Sequence, residues 1–368
     1  MTGRLAVFAR RADWPLNGAA LLLIGTGLVA IWSFSTPHSW LFGRQLIWMG
    51  LGMAAFLATA LTDYRLFRNH GAFLVALYVL VLALLGALLL FAPATRGIHA
   101  WFRLGGASLQ PVEPAKLVLA LVLAKYFSRR HVEIARPVHL LISGLYAGLA
   151  VLLVLLQPDL GSAIILGAVW LTVVLSSGIR WRHLAAFFIA VAAVAVFSWS
   201  ALLAPYQQDR IRAFIDPYRD PRGAGYSTIQ AIVAVGSGQL TGRGIGYGTQ
   251  SHLNFLPEAE TDFVFAAFAE ETGLIGATLL LGFLAVFFWR ILHVGALAED
   301  NFAKLYTVGF TSFLASAAAI HIGMNLGLLP VTGIGLPFIS YGGSSLVTML
   351  AGLGIVQSIR IHSRAEIE

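Results

Sequence analysis

The fold class this sequence predicts is an all-α, polytopic membrane protein, and three observations carry it. Hydrophobic residues make up 58% of the 368 positions, charged residues 11%, and the mean hydropathy is +0.81. So few charges cannot clothe a water-soluble globule of this size. Ten apolar runs of roughly 20 residues, the length that crosses a bilayer, stand between charged or Pro/Gly breaks. Stretches such as 72–92 are continuously apolar and lack the alternation of outer-membrane barrel strands.

The first run, 15–33, follows Arg4, Arg10 and Arg11 with no small-residue cleavage site after it, so it reads as a retained span and not as a signal peptide. The second and third, 43–62 and 71–92, flank Arg65 and Arg68. The fourth, 111–127, opens on Pro111 and Pro114, which suit a first helical turn. The fifth and sixth, 138–156 and 160–178, are joined by a tight turn shaped by Pro158 and Gly161. A seventh is expected at 184–203, and three more at 263–289, 304–326 and 340–359.

With the N-terminus in the cytoplasm, most of the 24 Lys and Arg residues fall in short inside loops. The positive-inside rule therefore fixes the orientation and places the long polar loop, 204–262, outside. The whole chain, 1–368, is expected to form one membrane domain. The net charge of +7 sits in short clusters between spans, which argues against nucleic acid as a partner. With no cysteine, disulfides and thiolate metal sites are excluded.

Ionisable groups at membrane depth are costly and mark candidate function. Glu113 and Lys116 share a helix face at i, i+3 spacing, as a structural ion pair or as a substrate contact. Asp159, with Ser162, is placed to cap the next helix or to face an outward cavity. In the long loop Arg210 and Arg212 precede a Gly-rich tract with Arg243. Its freed backbone N–H groups suit an anion nest for a diphosphate, or simply a turn; with no strand before it, the tract is not a dinucleotide fingerprint.

Glu258, Glu260 and Asp262 then precede the eighth run. Asp262 stands where a helix N-cap would, or acts as a general base toward an acceptor hydroxyl. Glu270 and Glu271 are expected to partner arginines of the loop. Between 325 and 346, Pro and Gly break the apolar pattern; Ser340 and Ser344 there can hydrogen-bond a polar headgroup, if helix termination does not account for them. The histidines show no metal-binding spacing. No carboxylate cage for a metal is evident, although a divalent cation could assist.

The segments DRIRAFIDPYRDPRGAGYSTIQ, VGSGQLTGRGIGYGTQ, NFLPEAETDFVFAAFAEETG, LLPVTGIGLPFISYGGSS and QPDLGSA resemble the signature segments of the RodA/FtsW/SpoVE (SEDS) family. The resemblance runs from about 15 to 360, and the short tails resemble the elongation branch, which serves rod shape. It implies a peptidoglycan glycosyltransferase that polymerises lipid II on the outer face of the bacterial cytoplasmic membrane, with a class B penicillin-binding protein as partner. The family's catalytic carboxylate falls on Asp262, its Glu and Lys on Glu113 and Lys116, and a further aspartate on Asp159. Glu260 stands where the family has His, His321 where it has Asn, and Val112 and Pro114 where it has Ser and Leu. The rival readings are a lipid II flippase and a non-catalytic scaffold for the penicillin-binding protein.

Overall fold

A computed structural model describes residues 2–34, 40–91, 101–104, 107–129, 137–179, 225–253 and 255–363, with scattered positions from 182 to 223. The elements in order are α1 (Thr2–Arg11), α2 (Trp14–Phe34), α3 (Leu41–Ala60), α4 (Arg65–Asn69) and α5 (Gly71–Phe91). A hairpin follows, β1 (Phe102–Leu104) and β2 (Ala107–Leu109), then α6 (Val112–Ser128), α7 (Pro137–Leu156) and α8 (Leu160–Ser176). The second half holds α9 (Tyr226–Ser237), α10 (Thr249–His252), α11 (Val264–Leu297), α12 (Asn301–Asn325) and α13 (Gly343–His362).

Among the described residues seven helices, α2, α3, α5, α7, α11, α12 and α13, are long and apolar enough to cross a membrane. The expected count of ten is not confirmed among the described residues, for two reasons. α6 and α8 have 17 residues each, about 26 Å of rise against a hydrocarbon core of about 30 Å. The span expected at 184–203 falls almost wholly outside the described residues. The β hairpin was not expected: three-residue strands are too short to leave a period-2 signal. It pairs Phe102 with Leu109 antiparallel and leads directly into α6.

α6 is the central helix, buried along almost its whole length and packed by α5, α7, α8, α12 and α13. Its burial on every side explains why its sequence is apolar all round, with no amphipathic stripe. Helix direction sorts the charges into two ends. One end gathers Arg65, Arg68, Lys125 and Arg290; there Arg290 pairs with the buried Asp13, and Arg68 with Asp300 at 3.3 Å. Glu113, Asp159, Asp262, Glu270 and Glu271 lie at the other.

The loop expected at 204–262 is not a plain loop over its second half. α9 packs on α11 through a small separate core of Ala231, Ala234, Leu256, Ala259, Phe263, Ala266 and Ala267.

Candidate functional site

Asp262 sits in a turn wound about one carbonyl. Glu258 has φ 52°, a left-handed conformation that costs a non-glycine residue on the order of 1–2 kcal/mol. That geometry brings the amides of Thr261, Asp262 and Phe263 to the Glu258 oxygen at 3.1, 3.0 and 3.3 Å. The three carbonyls that follow are each held from elsewhere. Tyr341 N–H donates to Glu260 O at 2.8 Å, Ser340 Oγ to Thr261 O at 2.7 Å, and Asn325 Nδ2 to Asp262 O at 3.0 Å. The backbone that carries the carboxylate is therefore clamped at three successive residues.

The N-cap of α11 is Phe263, not Asp262 as one sequence reading had it. The first-turn amides are satisfied by α12 instead. Asn325 Oδ1 accepts from Ala266 N at 2.9 Å, and His321 Nε2 from Phe265 N at 3.4 Å. His321 Nδ1 faces Ile334 O at 2.7 Å and must donate to it, which fixes a neutral ring with Nε2 as the acceptor. Asp262 itself is half-buried, and Gly333, which is exposed with φ 74°, stands beside it. A Cβ built on Gly333 would lie 3.8 Å from Asp262 Oδ2.

α11 is broken at Gly273, where φ 68° is compatible with glycine and strained for other residues. The first segment, 264–272, meets the C-terminal turns of α12 through Phe265 and Ala266, and the C-terminal turn of α2 through Glu271. Both contacts are at the same end of the bundle, so this segment lies across that end and does not run through the membrane.

Among the described residues its buried carboxylates bind backbone amides and hydroxyls of the chain; Arg210, Arg212, Arg219 and Arg222 of the loop lie outside them. Glu270 accepts from Gln250 N at 2.9 Å and Ser251 N at 3.3 Å, capping α10. Glu271 accepts from Ser33 Oγ at 2.6 Å, Gly246 N at 3.0 Å and, when the ring nitrogen carries the proton, His252 Nε2 at 3.2 Å. The anion nest of the Gly-rich tract is thus filled from within: Arg243 N and Gly244 N donate to the carbonyls of Glu270 and Glu271. The Arg243 side chain is exposed.

Glu113 and Lys116 form the expected ion pair, Nζ to Oε1 at 2.7 Å, with both side chains buried. Lys116 also lies 5.4 Å over the Phe313 ring. Among the described residues Glu113 Oε2 has no hydrogen-bond partner. Asp159 caps α8, accepting from Ser162 N at 2.9 Å. Burial pushes its carboxyl above the ordinary range, opposed by the Ser162 bond and the Lys116 charge. Gly161 packs against Thr332 and Ile334, the neighbours of Gly333, so one strip of chain separates the Asp159 turn from Asp262.

Of the other expected contacts, Ser340 Oγ also accepts from Leu336 N at 2.8 Å, and Ser344 Oγ ties α13 to the hairpin through Gln110 N and Ser108 O. Glu258 is half-buried beside Thr261. Arg210 and Arg212 lie outside the described residues. Among the described residues no group of three His, Asp or Glu side chains is disposed to hold a metal ion. The residues not singled out for this site were Asn325 and Ser33, with His321 treated as ordinary. The available signal was a pair of polar residues at i, i+4 in the otherwise apolar last turns of α12, 317–325.

Compared with known proteins, residues 15–365 match the FtsW/RodA/SpoVE family, described as cell cycle proteins. The chain is 37% identical over 350 residues to the peptidoglycan glycosyltransferase MrdB of Escherichia coli K12, covering 93% of this chain and 91% of that one. It is 34% identical to the stage V sporulation protein E of Bacillus subtilis, covering 94% and 95%. Among solved structures, a chain from a peptidoglycan synthase complex, described as coordinating polymerization and crosslinking, superposes with a TM-score of 0.82 at 32% identity, covering 96% and 99%. The rod shape determining protein RodA of Thermus thermophilus superposes with a TM-score of 0.71 at 31% identity, covering 96% and 98%.

Proposed function

The chain belongs to the FtsW/RodA/SpoVE family, and from that membership we propose that it is a peptidoglycan glycosyltransferase whose general base is Asp262. The observation that carries the assignment to this residue is the clamp on carbonyls 260, 261 and 262. It fixes a carboxylate in place while the helix beyond it is capped by other side chains, as a general base requires.

In the reaction the 4-hydroxyl of the acceptor GlcNAc attacks C1 of the donor MurNAc. Asp262 takes the hydroxyl proton as the new β-1,4 bond forms. The bond from C1 to the diphosphate breaks with inversion, and undecaprenyl diphosphate leaves with the electron pair. Lys116, Arg210, Arg212 and Arg243 are the cations assigned to the developing negative charge. The Asp262 end then faces the outside of the cytoplasmic membrane, opposite the basic end, in line with the positive-inside rule. A class B penicillin-binding protein is the proposed partner.

The test is purified protein with labelled lipid II in detergent, where translocation has no meaning, with the penicillin-binding partner added if needed. Asp262→Asn keeps the shape and removes the base, so glycan chains should fall by about 10²- to 10⁴-fold. Full product from that variant would sink the assignment; headgroup translocation in liposomes that survives it would favour the flippase.

A further inference from the structure

At the basic end, two adjoining cavities share a buried lysine. Lys125, near the C-terminus of α6, is 9% exposed. Among the described residues its ammonium enters no ion pair, and the charges acting on it are those of Arg129 and Arg68, of its own sign. A lysine packed at the end of the central helix, lining two cavities and with like charges around it, calls for an anion.

Lys125 and Arg129 line both cavities. The first, of about 380 Å³, is polar and is completed by Arg68, Ser128, Glu299 and Asp300. Its two carboxylates do not neutralise the lysine. Asp300 is engaged by Arg68 at 3.3 Å, by the Tyr64 hydroxyl and by the first turn of α12, while Glu299 is exposed at the rim. The second cavity, of about 240 Å³, runs between α5, α6 and α7 along Leu74, Tyr78, Val122, Tyr126 and Tyr146. It is apolar, because the hydroxyl of Tyr78 is spent on Tyr146 O at 2.6 Å and that of Tyr126 on His139 at 2.9 Å.

We propose that this pair of cavities binds one anionic glycerophospholipid, its phosphate on Lys125 and Arg129 and an acyl chain in the groove between α5, α6 and α7. Basic pockets between helices recognise such headgroups, and a polar cavity that shares Lys125 and Arg129 with an apolar groove fits a molecule with both chemistries. A surface patch of lysines would attract anionic lipid in bulk; a single lysine shared by two cavities selects one molecule. The site lies about 18 Å along α6 from Glu113, by helix rise, so it is distinct from the region around Asp262 and does not depend on the activity assigned there.

The experiment is native mass spectrometry of the full-length protein in detergent, titrated with phosphatidylglycerol and with phosphatidylcholine of the same chains. Wild type should retain one phosphatidylglycerol in preference to phosphatidylcholine. Each neutralisation, Lys125→Met or Arg129→Gln, should weaken that retention by about fivefold, while Lys125→Arg keeps it. Melting curves exclude misfolded variants, and Lys125→Arg provides a folded control. Equal retention of the two lipids by wild type, or unchanged retention in the double variant, would overturn the site. Complete displacement by excess glycerol 3-phosphate would show a phosphate pocket without an acyl groove and overturn the lipid assignment.

Discussion

Asn325 holds Asp262 by its backbone and in the same amide caps the helix that follows it. Nδ2 donates to Asp262 O at 3.0 Å and Oδ1 accepts from Ala266 N at 2.9 Å. Asn325→Ala leaves a buried amide and a carbonyl without partners. A stability loss of about 1–3 kcal/mol is expected, with a fall of up to about 10²-fold in polymerisation from the displaced carboxylate. Melting temperature and glycan yield on the same preparation check both.

Ser340 makes the second clamp, bridging Thr261 O and Leu336 N. Ser340→Ala removes both bonds and should lower stability by about 1–2 kcal/mol. Ser340→Thr keeps the hydroxyl and should recover most of the loss. If alanine and threonine behave alike, the hydroxyl is not what holds the turn.

Gly333 adopts φ 74° beside the Asp262 carboxylate. Gly333→Ala forces a left-handed conformation that costs about 1–2 kcal/mol and brings a methyl to the carboxylate. Lipid II turnover should fall more than the melting temperature implies, and a variant with wild-type turnover would contradict the assigned proximity.

Glu271 fastens the Gly-rich turn through Ser33, Gly246 and His252. Glu271→Gln keeps the shape but replaces the charge-assisted bonds with neutral ones, roughly half as strong. Amide exchange should quicken from 242 to 252 while 343–362 is unchanged. Equal acceleration in both would mean global loosening.

Asp159 supplies a pH test. Its folded carboxyl is raised by burial, so the protonated form is favoured in the native state. Its contribution is fully present below the unfolded value of about 4 and is lost as pH rises through the folded one. Asp159→Asn keeps a cap acceptor without the charge. The melting-temperature advantage of wild type over Asp159→Asn should therefore shrink as pH rises from about 4. An advantage that grows with pH contradicts this sign.

What the sequence made legible was local. Glu113 and Lys116 at i, i+3, the Asp159 cap, and the long apolar helices each follow from neighbours a few residues apart. Of the two readings of Asp262, cap or general base, the cap fails because its helix takes capping groups from α12, about 60 residues on, and no local pattern encodes a partner supplied by another element. Of the two readings of the Gly-rich tract, anion nest or turn, the nest fails for the same reason. Its amides are taken by the Glu270–Glu271 segment, which joins them only after α11 folds across the end of the bundle. Side-chain placement could be anticipated where the spacing was helical; it could not where distant turns meet.

Because His321 and Asn325 cap the first turn of α11, the start of that helix is held from α12 and not from a capping side chain of its own. On the proposed role of Asp262 as general base, a cell expressing Asp262→Asn beside wild type is expected to carry an inactive copy that still occupies substrate and neighbours. The genetic signature of that position is dominance over wild type, whereas lesions at Asn325 should be recessive, since their product is cleared.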